Sequence, residues 1–519
     1  MATTNQLVGE SSHSGRRMLS YAAGILAFSA LVFVAVWAVE SKLLIGGLVS
    51  LAVLVLALWR PDLATQGAIF ALWGNVATVA VRFHHVPAVS AAAGFLVLGL
   101  PLLYYIVIRR EPLRISAAIG FMFVYLVLQV ASAEFSSDIT ASFPALAVFL
   151  LQGIVPYFLI LNTVRTHKQL QRCLWAMLLA GALLGTLSFV QRVTHAYTSD
   201  FAGFAASHFP DDPQPTAAEI NNQPEDQASQ ALYPTWRALG SIGDANYYAQ
   251  IMVVLIPIAL LRLWASPSRR ERVAVVAVLA AIAAGVVLSY SRGGAVALCA
   301  VLAGLLGFRY FRLRYVLPAL AALILLLAIA DPMFIRRVET LVGKSDNPRV
   351  VDGSILMRKT FQIGAWHIFL DHPLLGVGFG QAPDYIPRYG SIYGYLLGSK
   401  NSAAHNMYLQ ILAETGLAGL IAFLLMLRAV MKPMFALRRY WARSRPEYAH
   451  TLASLMLGLL GFLVAGIFLH LAYTRYLYLL LGLCGAATTI YAPPAESAEA
   501  APTPAEASGS ELGAVWNEA

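Results

Sequence analysis

The feature that most constrains this chain is a succession of apolar runs separated by short, often basic connections. A helix needs about 20 apolar residues to cross a bilayer, and a barrel strand about 10. Runs centred in 18–39, 43–59, 63–81, 87–108, 115–133, 143–162, 173–191, 244–265, 273–290, 293–308, 315–331, 407–430, 450–470 and 474–491 fit helices and are too long for strands. Within lipid every backbone polar group must be paired inside the protein, and a helix does this within one segment. The expected fold is therefore an all-α, polytopic integral membrane protein with about 12–14 transmembrane helices. Composition agrees. The chain is 59% hydrophobic and 12% charged, where soluble domains are about 25% charged.

The net charge is +9, but its distribution does not point to nucleic acid. Most of the basic residues fall in alternate short connections: Arg16 and Arg17, Arg60, Arg109 and Arg110, Arg165 to Arg172, Arg262 to Arg272, Arg309 to Arg314, and Arg428 to Arg445. Short cytoplasmic loops carry this excess. Both termini are thus expected inside, and the long loops outside. Residues 1–17 are polar and end in Arg16-Arg17, and the run after them is long enough to remain as a span, so no cleavable signal peptide is expected. Cys173, Cys299 and Cys484 lie in or beside apolar runs and make no disulfide framework.

The expected organisation is a cytoplasmic N-terminus at 1–17, N-terminal spans and a first long outer loop at 18–242, a central region at 243–430 with a second outer loop at 332–405, C-terminal spans at 431–491, and a cytoplasmic tail at 492–519. The tail is rich in Ala, Pro, Glu and Ser, a composition that does not build a core. Within the second loop, the segment from Met357 to Leu370 has helical periodicity with Phe361, Trp366 and Phe369, which predicts an interfacial helix.

Several constellations carry chemistry. His405-Asn406 opens a long apolar run. Asn406 suits an N-cap, which places His405 at the positive end of a helix dipole, where protonation is disfavoured. A neutral His can accept a proton; a His satisfying a loop carbonyl is the simpler alternative. Ser289-Tyr290-Ser291-Arg292-Gly293-Gly294 joins two apolar runs almost without a loop. A charge at that edge is costly unless paired or wet, and the guanidinium fork suits phosphate; a snorkelling Arg in a tight hairpin fits equally well. Arg237 precedes Gly240-Ser241-Ile242-Gly243-Asp244-Ala245-Asn246, which reads either as part of a site or as a capping loop with Asp244 or Asn246 as cap. His372 to Gly380 is punctuated by Gly376, Gly378 and Gly380 and reads as a turn. Trp236, Tyr389, Tyr393 and Tyr395 are candidates to stack on sugar rings. Asp211-Asp212 reads as a solvated turn rather than a cation site, and no zinc spacing, phosphate-binding loop or dinucleotide fingerprint is present. No cofactor or metal is expected. Outward-facing arginines with a neutral His suit attack by a hydroxyl on a carbon whose leaving group is a lipid diphosphate.

Four blocks, in order, resemble the O-antigen ligase / O-antigen polymerase family of bacterial membrane glycosyltransferases. They are Gly240–Ala249 with Asp244-Ala245-Asn246, then Ser291-Arg292-Gly293-Gly294, then His372-Pro373-Leu374-Leu375-Gly376-Val377-Gly378-Phe379-Gly380, then His405-Asn406-Met407-Tyr408-Leu409-Gln410 with Glu414-Thr415-Gly416. The resemblance covers roughly 235–430 and implies an α-helical inner-membrane protein with a periplasmic site, so that the two long outer loops at about 191–242 and 332–405 would be periplasmic. It implies a glycan donor on undecaprenyl diphosphate and an acceptor that is lipid A-core or another lipid-linked glycan. It further implies metal-independent, inverting transfer, with His405 as base, Arg292 and Arg237 on the diphosphate, and Asn406, Gly293, Gly376 and Gly378 in support. Ligase and polymerase are not separated. A protein O-oligosaccharyltransferase fits less well with the short tail. From other classes, a lipid-linked glycan transporter or flippase predicts broken helices and polar groups at mid-membrane, and a non-catalytic scaffold is a third alternative.

Overall fold

The computed structural model describes residues 60–86, 99–136, 138–197, 199–205, 237–266, 268–310, 353–392, 403–470 and 474–493. Among them every regular element is helical. In chain order these are α1 (Pro61–Trp73), α2 (Val76–Arg82), α3 (Gly99–Ile108), α4 (Ala117–Glu134), α5 (Ile139–Thr163), α6 (His167–Thr194), α7 (Ala245–Ala265), α8 (Arg269–Leu288), α9 (Arg292–Gly307), α10 (Gly353–Asp371), α11 (Ala382–Ile392), α12 (Met407–Trp441), α13 (Pro446–Ala465) and α14 (Thr474–Ile490). Seven of them are long and apolar enough to cross a membrane, or eight if α1 and α2 make one bent span. The protein is an all-α polytopic membrane protein, as the apolar runs predict. The expected spans at 18–39, 43–59 and 315–331 lie outside the described residues, as does the first part of 87–108.

Local sequence explains where the helices start and bend. Asp138, Ser268, Ser291, Asp244 and Asn406 each cap a helix by accepting backbone N–H bonds. Thr166 and Gln169 form a reciprocal capping box at the start of α6. The run at 63–81 is not one straight span. It turns by 59° between α1 and α2, because Asn75 takes a left-handed φ of 60°. Asn75 is tied there: its amide donates to the Ser241 carbonyl at 2.5 Å and its oxygen accepts from Arg475. In α5 a π turn at Leu150–Ile154 precedes Pro156, which has no N–H to give the ladder.

The centre of the bundle is α7. It packs along α13 and α8, and also against α9 and α6. Its residues from Tyr247 to Ile258 are nearly all buried, an all-round apolar surface that requires neighbours on every side. A second, smaller cluster joins α10 and α11 to the start of α12 through Phe361, Ala365, Ile368, Ala382, Ile386 and Ala413. The expected helix over Met357 to Leu370 is therefore present as α10. It turns Phe361 and Ile368 inward and leaves Trp366 and Leu370 about half exposed.

Candidate active site

One end of the bundle gathers the starts of α7, α9 and α12 and the end of α13. Helix starts expose backbone N–H groups and the positive dipole end, so this is an electropositive place before any side chain is counted. Three capping residues define it. Asp244 accepts from the amides of Asn246 (2.7 Å) and Tyr247 (3.1 Å). Ser291 accepts from the amide of Gly294 at 3.2 Å. Asn406 accepts from the amides of Tyr408 (2.9 Å) and Leu409 (3.1 Å), as its residue type predicts.

Asn246 binds two of the sequence blocks together. Its side-chain oxygen accepts from Arg237 Nη2 at 3.2 Å and from Ser291 Oγ at 3.0 Å. Arg237 Nε donates to the Ser289 carbonyl at 2.9 Å, and the next residue's amide, Ala238, reaches the Leu288 carbonyl. Arg237 is therefore fixed against the α8–α9 hairpin from which Arg292 emerges. The hairpin is tight because Tyr290 takes a left-handed φ of 49°.

The turn after α13 joins this half to the other. A Cβ at Gly293 would stand 3.1 Å from Phe468 Cβ, so the start of α9 and the 466–470 turn touch. The Met407 amide donates to the Gly466 carbonyl at 2.8 Å, and Tyr408 Oη donates to the Leu463 carbonyl at 2.9 Å. His470, at the end of the turn, lies edge-on to His405 with ring centroids 5.4 Å apart. Phe361 of α10 stacks on His405, centroids 6.0 Å apart.

His470 is itself held. Tyr247 Oη donates to the His470 carbonyl at 2.9 Å and lies 2.7 Å from its Nδ1. Tyr247 has one hydroxyl hydrogen, so with that hydrogen on the carbonyl the Nδ1 site carries the ring proton and Nε2 is the acceptor.

Electrostatics favour neutral imidazoles. Burial, then the Arg358 guanidinium, push the His405 pKa below its ordinary value, with Asp244 pulling the other way. The expected direction holds, although burial rather than the helix dipole leads it. His405 Nδ1 is buried and has no hydrogen-bond partner among the described residues. His470 is pushed down to about 4 by burial and by its neighbour His405, again opposed by Asp244.

The glycine block has a structural task. Helix α12 breaks at Gly416, where φ is 64° and ψ −164°. The His372–Gly380 loop seals the break. Val377 and Gly378 amides donate to the Ala413 and Glu414 carbonyls, and the Leu417 and Ala418 amides donate to the Pro373 and Leu374 carbonyls. Backbones approach so closely that a Cβ on Gly376 would lie 2.4 Å from Glu414 C, and one on Gly416 2.3 Å from Leu374 O. Ser132 Oγ of α4 also donates to the Glu414 carbonyl, at 2.5 Å. Gly376 and Gly378 thus support the helix that carries Asn406.

The site brings Arg237, Asn246 and Ser291 into direct contact, and His405 into contact with His470 and Phe361. Tyr389 does not join them. Its hydroxyl donates to Asp371 Oδ2 at 2.7 Å and its ring packs in the α10–α11 cluster. Trp236, Tyr393, Tyr395, Asp211 and Asp212 lie outside the described residues. His470 and Tyr247 did not stand out in the sequence. The available signal was a His closing a long apolar run only a few residues before the next one begins.

Residues 275–424 match the family model described as O-Antigen ligase. The matched stretch contains Arg292, Gly293, Gly376, Gly378, His405 and Asn406, and leaves out Arg237, Tyr247 and His470. No curated protein matches the chain. The match supports a membrane glycosyltransferase of the O-antigen ligase or polymerase type.

Proposed function

We propose, from this match and the arrangement around His405, that the protein transfers a glycan from undecaprenyl diphosphate to an acceptor hydroxyl at the end of the bundle where α7, α9 and α12 begin. The acceptor oxygen attacks the anomeric carbon as the bond from that carbon to the diphosphate oxygen breaks, so the configuration inverts. The acceptor proton passes to His405. The lipid diphosphate leaves with the bonding pair, and Arg237 and Arg292 neutralise it without a metal. On the positive-inside pattern this end faces the periplasm of a bacterial inner membrane. The acceptor class is lipid A-core for a ligase, or a second lipid-linked glycan for a polymerase.

The observation that carries this reading is the state of His405. Its ring is fixed by Phe361 and His470, its pKa is lowered, and its Nδ1 lacks a hydrogen-bond partner among the described residues. A general base needs a neutral imidazole in a fixed orientation. What singles His405 out is that these features meet where α7, α9 and α12 begin.

The break at Gly416 and the buried Glu414 beside it are the features that favour a transporter. Against that reading, the break is closed by loop backbone. The cavity beside it, lined by Tyr125, Phe149, Phe379, Gln410 and Glu414, is about 90 Å³, too small for a sugar.

The test is mass spectrometry of undecaprenyl-diphosphate-linked glycans in cells lacking the protein, with wild type or the His405→Ala form restored. Single repeat units accumulating on the carrier identify a polymerase. Long chains retained on the carrier identify a ligase. Unchanged lipid-linked glycans would exclude the enzymatic reading.

A further inference from the structure

A second cavity lies at the opposite end of the bundle. It has a volume of about 390 Å³ and sits where α6 and α13 begin and α7 ends. Its origin is in the packing: α7 packs along α13 and touches α6, whereas α6 and α13 make no extensive contact with each other. A cleft therefore opens between them over α7. One hydrogen bond crosses it, from Gln171 Nε2 to Thr451 Oγ1 at 2.7 Å.

The lining is graded along the helix axes. Lys168, Glu447 and His450 stand at the helix ends, and Leu174, Leu178, Ile258 and Leu261 lie deeper. Between the two zones Arg262 is already committed: it binds Glu271 at 2.6 Å and Gln171, and lies over the Trp175 ring. The polar end thus offers the exposed Lys168 ammonium, the Glu447 carboxylate, which has Arg445 at 4.0 Å on one oxygen, and a His450 Nδ1 that is buried and has no hydrogen-bond partner among the described residues. Trp175, Leu179 and Leu183 continue one stripe of α6 at four-residue spacing, and Leu179 and Leu183 are about half exposed.

We propose that this cleft binds a membrane phospholipid whose headgroup carries both a phosphate and an amine. Lys168 and His450 take the phosphate, and Glu447 takes the amine. The first part of one acyl chain lies on Leu174, Leu178 and Leu261, and the rest runs out along the Leu179–Leu183 stripe. Three features support this over other occupants. The grading from polar to apolar matches the depth profile of a bilayer leaflet. The opposed charges of Lys168 and Glu447 match a zwitterion better than an anion. The volume suits a headgroup with the start of a chain rather than a whole lipid. The lipid acts as a wedge that keeps α6 and α13 apart. The site is independent of the His405 end, and its test does not depend on glycan transfer.

The experiment is native mass spectrometry of the purified full chain titrated with phosphatidylethanolamine or phosphatidylglycerol. Two variants at exposed positions probe the cleft, with thermal unfolding as a folding control: Lys168→Glu reverses the charge and Ala265→Phe fills the mouth. One phosphatidylethanolamine is expected to remain on the wild type, bound at least tenfold more weakly by both variants. Glu447→Gln is expected to abolish the preference over phosphatidylglycerol. Equal binding of the two lipids by the wild type, or no effect of either mouth variant, would overturn the proposal. So would displacement by glycerophosphoethanolamine, which lacks the chains and would mark a soluble ligand instead.

Discussion

His470 lies nearly perpendicular to His405 with ring centroids 5.4 Å apart while the Tyr247 hydroxyl holds it at 2.7 Å from Nδ1, so the imidazole before α12 is braced by one from the turn after α13. Two rings in contact, both with pKa values lowered by burial, make a stiff seat for a base. The relation spans α7, the 403–406 segment and the 466–470 turn, and each proposed functional group can be tested against it.

Replacing His405 should remove transfer and leave the fold. General-base catalysis contributes about 10²- to 10⁴-fold, and His405→Asn should lose at least that much. Asn tolerates the left-handed φ of 45° at this position better than Ala. Thermal unfolding of the detergent-purified protein should stay near wild type. Tyr247→Phe should cost a smaller factor, seen in kcat, because it frees the His470 ring without touching His405.

The pH dependence follows from the direction of the shifts. A base works when unprotonated, and the His405 pKa is held below its ordinary value by burial and by Arg358. Activity should therefore be flat above neutrality and fall only in acid. Arg358→Gln removes one cause, so the acid limb should move to higher pH. Stability behaves in the same sense. The unfolded chain takes up protons on its histidines near pH 6.5, whereas folded His470 waits until about 4. Folding stability should decline as pH falls through that window and be insensitive above it. His470→Gln should flatten the decline, measured as unfolding temperature at pH 7, 6 and 5.

Arg292→Lys keeps the charge and loses the planar fork. If the guanidinium holds diphosphate, kcat/KM for lipid-linked donor should drop about 10- to 100-fold, the scale of one charge-assisted hydrogen bond. Full activity would mark a snorkelling residue. Asn246→Ala should produce a similar loss chiefly in KM, because it removes the oxygen that Arg237 and Ser291 share.

Gly416→Ala should be among the most damaging substitutions that remove no functional group. Its φ and ψ belong to a region nearly exclusive to glycine, and the new methyl would overlap the Leu374 backbone. A loss of about 3 kcal/mol or more is expected, read as unfolding temperature or as failure to accumulate in membranes. Gly67→Ala is the matched control. It lies within α1 with nothing within 4 Å of the new methyl, and a helical Gly→Ala change should be neutral or stabilising.

What the sequence disclosed was local. Asn406 and Asp244 were readable as caps because capping depends on a residue and the two or three amides after it. Gly376 and Gly378 were readable as turn residues for the same reason. Their purpose was not, since the break they seal is at Gly416, some 40 positions later. Span 63–81 looked continuous because hydropathy is blind to Asn75, whose left-handed backbone is held by Ser241 and Arg475 from distant segments. His470 is not legible in the sequence because its meaning depends on Tyr247 and His405, and no periodicity links positions so far apart.

The turn at 466–470 also sets a timetable. Arg237, Arg292 and His405 all leave the ribosome before it, yet Gly466, Phe468 and His470 are what clasp the start of α12 to the start of α9. A nascent chain threaded into the bilayer as far as α12 carries every proposed reactive group and lacks the clasp. The seat of His405 is therefore completed only when the hairpin that follows α12 has been inserted.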